Sequence, residues 1–207
     1  MAVSLVSTGI QFPDASIQTT AASAGSPSAM VYLSTVTITS NTANVDIENA
    51  FNSTYSTYVI IANNVNANAS SNNSRLYCRL KVGGTYQTSG YRWQMTDNTS
   101  GSGSSFSGAG SANYSESYIM LARDLGTSTL NWSSVMYITN PAGTSDQKNI
   151  YGAGGYLNTG PYQINNTYSA SYYASNAALT GVRFYIDPNS GGNISSGTWR
   201  LYGIKAS

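Results

Sequence analysis

The sequence contains no histidine and a single cysteine, and these two shortages exclude most enzymatic chemistry. Without histidine, neither a Ser–His–Asp triad nor a Cys–His pair can form, and the commonest metal ligand is missing. Cys78 alone cannot build a zinc site. A pair of carboxylates, as glycosidases use, is the remaining route to hydrolysis. We therefore expect a protein that is not an enzyme, with no catalytic residue, no metal and no cofactor.

The acidic residues give little support for a carboxylate pair. Several stand in turn-forming sequence, as Asp187 does before Pro188 and Asp124 before Leu125 and Gly126. Asp46 and Glu48 share one face of a predicted strand, but this spacing is typical of a solvated face. We expect the acids to serve in turns and ion pairs, and a polysaccharide depolymerase is the weakest of the alternative functions.

Charge is also scarce, since only 8% of the residues are charged and the net charge is +1. No basic run could follow a line of phosphates, so nucleic acid is not an expected partner. No stretch approaches the about 18 apolar residues that span a bilayer, and the first residues lack the pattern of a signal peptide. Weak self-repulsion and 17 tyrosines are typical of a subunit that associates, so a permanent oligomer is expected.

No helical period of useful length occurs, and residues 30–207 consist of β-rich runs separated by Asn, Ser and Gly clusters. The predicted strands are 30–39, 45–48, 55–62, 74–82, 90–96, 114–123, 128–139, 148–157, 167–174, 182–186 and 198–204. The pattern predicts an all-β fold, an antiparallel β-sandwich or jelly roll of about ten strands, preceded by an extended N-terminal arm.

Some parts of residues 30–207 carry more specific predictions. Alternation in 75–82 places Leu76, Cys78, Leu80 and Val82 in the core, with Cys78 as a small buried side chain. The last two runs, rich in apolar residues, are expected to form a hairpin that ends inside the core. The stretch 98–110 has one large side chain in 13 positions and is expected to be a long exposed loop. Glycines within 148–157 indicate a bulge or a close backbone approach.

Residues 1–29 differ in composition from the rest and are interpreted as an attachment arm and linker that ends in a flexible Gly–Ser–Pro–Ser stretch. The arm carries large apolar side chains that so short a segment cannot bury alone. We predict that it docks on another protein through Ile10, Phe12 and Ile17, which Pro13 holds in an extended conformation. The alternative is a mobile tail.

The abundant aromatic residues are the feature that most needs a functional explanation. Tyr and Trp combine an apolar face with a polar tip, which suits both protein interfaces and flat sugar faces. Most are expected to pack across strands. Those near Gly- and Asn-rich sequence are the candidates for an exposed glycan-binding surface or subunit interface. These candidates are Tyr91, Trp93, Tyr151, Tyr156, Tyr162, Tyr172 and Tyr173.

Several motifs resemble those of bacteriophage virion surface proteins of the tail-fibre or short-fibre type. The motifs are GIQFPDASIQTTA from Gly9, the segment Phe51–Val82 followed by Gly83–Gly84 and Ser89–Gly90–Tyr91, and the final stretch GVRFYIDPNSGGNISSGTWRLYGIK from Gly181. Two departures occur: Ser56 stands where Asp is common in the Tyr-x-x-Tyr element, and the chain has no long shaft of repeats.

The resemblance implies a homotrimeric β-sandwich or jelly-roll subunit on the particle surface, on the tail or the capsid exterior. We expect it to dock on other virion proteins through residues 1–29 and to bind host surface polysaccharide without cleaving it. The missing shaft favours a short tail fibre or a fibre tip. The main alternative is a capsid cement, decoration or head-fibre protein that stabilises the shell.

Overall fold

The computed structural model divides the chain into two compact units, Met1–Val31 and Tyr32–Ser207. The residues that it describes are 4–6, 9–11, 13, 17–18, 30–68, 74–100, 105–110, 115–125, 131–157, 163–190 and 192–205.

Regular structure in these residues is almost entirely β, with a single 3-10 turn at Pro188–Ser190. The strands are β1 (Ser4–Val6), β2 (Gly9–Gln11), β3 (Ile17–Gln18), β4 (Met30–Ile38), β5 (Asn44–Glu48), β6 (Thr57–Ala67), β7 (Ser74–Val82), β8 (Thr85–Tyr86), β9 (Tyr91–Ser100), β10 (Ser105–Gly110), β11 (Ile119–Leu125), β12 (Trp132–Thr139), β13 (Lys148–Leu157), β14 (Gln163–Tyr172), β15 (Leu179–Ile186) and β16 (Ile194–Ile204).

The N-terminal unit contains a three-stranded antiparallel sheet in the order β1-β2-β3. Ile10 pairs with Leu5 on one side and Gln18 on the other, and Ile17 pairs with Gln11. Pro13 lies in the turn between the antiparallel strands β2 and β3, so the prediction that it holds Ile10 and Ile17 in one extended segment is wrong. Phe12 lies outside the described residues, and docking by this segment stays a prediction.

The larger unit is an antiparallel β-sandwich, as predicted. One sheet has eight strands in the order β10-β9-β14-β13-β12-β6-β16-β4, and the other has the order β11-β7-β15-β5, with β8 paired to β7. Eight of these strands form a jelly roll. In it, β4, β16, β6 and β12 of the larger sheet face β5, β15, β7 and β11 of the smaller sheet, respectively. Strands β9, β10, β13 and β14 extend the larger sheet.

One continuous core fills the space between the two sheets. Phe184 on β15 packs against Trp199 on β16 with ring centroids 5.9 Å apart, so the two sheets meet through these side chains. Leu76, Cys78 and Leu80 are fully buried, as the alternation in β7 predicts, whereas Val82 is only partly buried against the core. The C-terminal strand is part of this core.

The predicted C-terminal hairpin is wrong, because β15 and β16 belong to different sheets. Strand β15 pairs with β5 and β7, whereas β16 pairs with β6. The Pro/Asn turn between them carries the chain from one sheet to the other. Both strands have an apolar face, and placing them in opposite sheets lets these faces pack against each other across the core.

The predicted loop at 98–110 is also wrong. Strand β9 continues to Ser100, and β10 pairs with it from Ser105↔Thr99 to Gly110↔Gln94, which makes β10 an edge strand of the larger sheet. Main-chain hydrogen bonds can hold an edge strand that has few large side chains, which explains why a Ser- and Gly-rich sequence can pair here. The two sheets of the sandwich therefore hold more strands than the predicted ten or so.

The glycines of β13 allow a close approach of the neighbouring strands and do not form a bulge. The register of β13 with β12 and β14 is continuous. A β-carbon on Gly154 would lie 2.7 Å from the carbonyl oxygen of Ser133, and one on Gly152 would overlap the hydroxyl of Tyr168 and the carbonyl oxygen of Val135. The absent side chains leave room for the ring of Tyr168, whose hydroxyl is 2.8 Å from that of Ser134.

Candidate functional site

Four of the predicted surface aromatics are buried, which overturns their assignment to an exposed recognition surface. Their exposed fractions are Tyr91 0%, Trp93 7%, Tyr156 3% and Tyr172 2%. The hydroxyl of Tyr91 accepts a hydrogen bond from the Leu80 amide at 2.8 Å, and that of Tyr172 donates to Gln87 Oε1 at 3.3 Å. Each of these side chains shares its strand face with a buried apolar residue, namely Met95 for Tyr91 and Trp93, Ile150 for Tyr156 and Ile164 for Tyr172, so it points inward.

Tyr151 and Tyr173 are more exposed than these four residues, and Tyr162 lies outside the described residues. Tyr151 on β13 is 46% exposed, one of the few large apolar side chains at the surface. Tyr173 is half-buried just after β14 and lies beneath the guanidinium of Arg92, 4.9 Å from its ring centroid. The structure brings these two tyrosines to the same outer face of the eight-stranded sheet.

A trough runs along this outer face over strand β14. The outward residues of β14 that form its floor are short, namely Thr167, Ser169 and Ser171. The flanking strands β13 and β9 carry longer outward side chains, so the floor is recessed between two walls about 10 Å apart. Two adjoining cavities of about 430 and 290 Å³ share Tyr151, Gln94 and Ser169 and together form the trough.

Tyr151 supplies a flat apolar platform on the β13 wall. Its ring stacks on that of Tyr137 of β12, with centroids 5.0 Å apart and an interplanar angle of 10°. Tyr137 lies on the side away from the trough, because β12 and β14 flank β13 on opposite sides. The opposite face of the Tyr151 ring is therefore turned toward the trough, and the stack restricts the ring to one orientation.

Polar groups on both walls complement this platform. Asn149 lies on the β13 wall, and Gln94 and Arg92 lie on the β9 wall. The contact of Arg92 with the ring of Tyr173 orients its guanidinium at the end of the trough. Amides, hydroxyls and a guanidinium beside an aromatic face can hydrogen-bond to a polyhydroxylated ligand while its apolar face stacks on the ring.

No Asp or Glu lines the trough in the part of the chain that the structure describes. Elsewhere, three carboxylates form ion pairs: Arg183 donates two hydrogen bonds to Asp46, Lys81 pairs with Glu48 at 2.6 Å, and Arg123 pairs with Asp97 at 2.5 Å. Hydrogen bonds from Lys81 and Tyr86 lower the pKa of Glu48. The described residues contain no group of three or more potential metal ligands.

A row of aromatic and apolar side chains crosses the same sheet face toward its β4 edge. We define this aromatic row as Tyr32, Tyr202, Val59, Tyr137 and Tyr151. The rings of Tyr32 and Tyr202 meet edge-to-face at 5.8 Å. Val59 pairs in register with Tyr137 and Tyr202 and is only 2% exposed, whereas Tyr32 at the edge is 57% exposed.

Sequence reasoning missed Arg92, Gln94, Asn149, Ser169 and Ser171. The usable signal was strand alternation: in 167–172 the sequence alternates Ser or Thr with Tyr or Ala, which identifies the Ser and Thr positions as the outward ones. The same alternation in 91–95 separates Arg92 and Gln94 from the buried aromatics between them. Composition hid these residues, because Asn and Ser are common throughout the chain.

The chain matches no protein-family model, no curated protein and no solved structure. Among the described residues, no helix is long and apolar enough to cross a membrane. Inferences about function therefore depend on the chemistry of the trough and on the sequence motifs.

Proposed function

We propose that this protein is a bacteriophage virion surface protein, a short tail fibre or fibre tip, that binds host surface glycan without cleaving it. The observation that carries the binding is the trough over β14, with Tyr151 as its aromatic platform. The assignment to a virion rests on the motifs in 9–20, 51–91 and 181–205 that resemble those of phage surface proteins.

The trough suits a saccharide better than an apolar ligand. One free ring face of Tyr151 can stack on the apolar face of a sugar, while Gln94, Asn149 and the serines of the floor offer hydrogen bonds to hydroxyls. A trough with open ends admits an internal segment of a polysaccharide. Glycosidases need two carboxylates about 5–10 Å apart at the scissile bond, and the described lining contains none, so binding without hydrolysis is the better supported activity.

We also propose that the protein forms a homotrimer and docks on the particle through residues 1–29. The aromatic row supports association, because Tyr32 exposes 57% of its surface at the sheet edge beside Tyr202. Burying such an apolar edge against another copy is favourable, and a net charge of +1 does not oppose it.

The aromatic row also favours a second candidate, a capsid cement, decoration or head-fibre protein. Such a protein clamps neighbouring subunits, and an apolar face at a sheet edge is suited to that contact. Copy number per virion, measured against the major capsid protein, separates the two candidates. A few to a few tens of copies support the fibre, and hundreds of copies in fixed proportion to the capsid protein contradict it.

Binding is tested on an array of bacterial surface polysaccharides with the wild type and two tyrosine variants. We expect Tyr151→Ala to weaken glycan binding by about tenfold, since an aromatic stacking contact contributes about 0.5–1.5 kcal/mol beyond its buried area. Tyr86→Ala is the matched control, a half-buried tyrosine of the other sheet that lies outside both the trough and the aromatic row and should leave glycan binding unchanged. Equal binding by wild type and Tyr151→Ala would contradict the site, and release of reducing sugar would indicate a depolymerase.

A further inference from the structure

A second cleft, of about 270 Å³, lies on the outer face of the five-stranded sheet and shares no lining residue with the trough. Arg75, Tyr77 and Arg79 alternate with core residues of β7, so all three side chains point outward. Tyr185 of β15 is the register partner of Tyr77, and Asp187 follows at the end of the same strand. The cleft therefore combines cationic and aromatic side chains held by paired strands.

The floor of the cleft is a cluster of three tyrosines. Tyr77 and Tyr118 stack with centroids 3.9 Å apart and planes 9° from parallel, and Tyr185 meets Tyr77 edge-to-face at 5.7 Å. Tyr77 is 3% exposed and Tyr185 6%, while Tyr118 is half-buried. Packing fixes these rings in place, so the floor is rigid and partly apolar.

Two arginines and one aspartate line the cleft around this floor. The guanidinium of Arg79 is fixed by a hydrogen bond from its Nε to the Ser117 carbonyl oxygen at 2.8 Å, and it lies over the Tyr185 ring at 4.9 Å. The carboxylate of Asp187 is already engaged: one oxygen accepts from the Tyr77 hydroxyl at 3.1 Å, and the other accepts from the Asn189 amide at 2.9 Å. The lining thus has an excess of positive charge, with Arg75 at its open side.

Besides the excess of positive charge, the hydroxyl of Tyr185 is a second feature that indicates a ligand in the cleft. It is buried, and no hydrogen-bond partner for it is found within the described residues, although Tyr185 lines the cleft. A buried hydroxyl without a partner costs free energy, so such groups usually have a specific role. This oxygen is covered in the unbound protein, so a polar atom of a molecule in the cleft would satisfy it after a side chain that covers it moves aside.

We propose that this cleft binds a carboxylate-bearing saccharide unit such as a uronic acid. Arg75 and Arg79 hold the carboxylate, because guanidinium groups form charge-assisted hydrogen bonds with it. The ring of Tyr118 contacts the apolar face of the sugar, and the Tyr185 hydroxyl bonds to one of its oxygens. A simple inorganic anion would use the arginines but would leave the tyrosine floor without a contact.

The proposal is tested by NMR titration of the full chain with sodium glucuronate, with glucose and sodium acetate as the neutral and simple-anion controls. In the residues that line the cleft, we expect saturable shifts with glucuronate, none with glucose, and at least about tenfold weaker binding with acetate. Equal affinity for acetate would overturn the saccharide assignment. No response to glucuronate at about 50 mM would overturn the site itself.

Variants connect the response to the named residues. Arg75→Gln should weaken glucuronate binding by about tenfold, because it removes a charge-assisted contact with the carboxylate. Tyr185→Phe should also weaken binding, because it removes the hydrogen bond to a sugar oxygen. Arg200→Gln, on the outer face of the other sheet, is the matched control and should leave it unchanged. Arg75 is exposed, so its variant is expected to fold, and unchanged affinity in that variant contradicts the proposal. Tyr151→Ala should bind glucuronate normally, which separates this site from the trough.

Discussion

Replacing Gly152 with alanine tests the packing of β12, β13 and β14, on which the trough depends. A β-carbon at this position would overlap the Tyr168 hydroxyl on one side and the Val135 carbonyl oxygen on the other. The carbonyl belongs to the backbone of a paired strand and cannot rotate away. The Tyr168 ring could move only by leaving its hydrogen bond with Ser134.

The expected cost follows from these two contacts. Overpacking a core typically costs about 1–3 kcal/mol. Displacing a buried hydroxyl from its partner costs about 1–3 kcal/mol more. We therefore expect Gly152→Ala to lower the free energy of unfolding by at least about 2 kcal/mol. For a domain of this size, that corresponds to a fall in Tm of about 4–8 °C.

Thermal and urea unfolding followed by circular dichroism measure this change. Gly108→Ala on the edge strand β10 is the matched control, because the nearest atom to its β-carbon would be the Met95 carbonyl oxygen at 3.9 Å. This control should be neutral or slightly stabilising, since alanine restricts the unfolded chain more than glycine does. Adding Tyr168→Phe to Gly152→Ala should recover little of the loss, because the added β-carbon would still lie 2.5 Å from the ring carbon Cζ at this position.

Equal stability of the Gly152→Ala and Gly108→Ala proteins, within about 0.5 kcal/mol, would refute the reasoning. It would mean that β12 and β14 do not enclose β13 in this register. The floor and walls of the trough would then not be adjacent, and the proposed glycan site would also be wrong.

Three further predictions concern other parts of the core. Burial raises the pKa of Tyr91 and of Tyr168, so their contribution to stability is complete below the usual tyrosine pKa of about 10 and is lost as pH rises above it. Part of the tyrosine absorbance change at 295 nm should therefore appear only as the protein unfolds at high pH; complete ionisation of the tyrosines without unfolding would contradict this. Burial also raises the pKa of the Cys78 thiol, so a thiol reagent should label it only in denaturant, and rapid native labelling would be inconsistent with a buried strand. Tyr58→Phe should destabilise by about 1–2 kcal/mol, measured by urea unfolding, because the Asn52 amide donates to the Tyr58 hydroxyl at 2.8 Å; an unchanged midpoint would show that this bond contributes little.

Some features of the candidate sites were within reach of the sequence and others were not. Alternation in 91–95 could have shown that Tyr91 and Trp93 share a face with Met95 and are buried together. It could not show that β9 lies beside β14, because these strands are more than 60 residues apart and pair only in the folded sheet. The trough exists only through that pairing, since its floor and its two walls come from three different strands.

The sequence by itself determined the fold class, the buried character of Cys78 and the inward face of β7, because a side-chain period of two and β-rich runs between turn residues are local properties. Only the tertiary structure decided that β15 and β16 lie in opposite sheets, that 98–110 pairs as an edge strand and that Tyr151 faces outward. The physical reason is that a strand's sequence records which residues alternate but not which strand pairs with it or what covers each face. Here β11 covers the inner face of β9 and β14, where Asn166 donates to the Leu121 carbonyl oxygen at 2.5 Å, and the opposite face is left to form the trough.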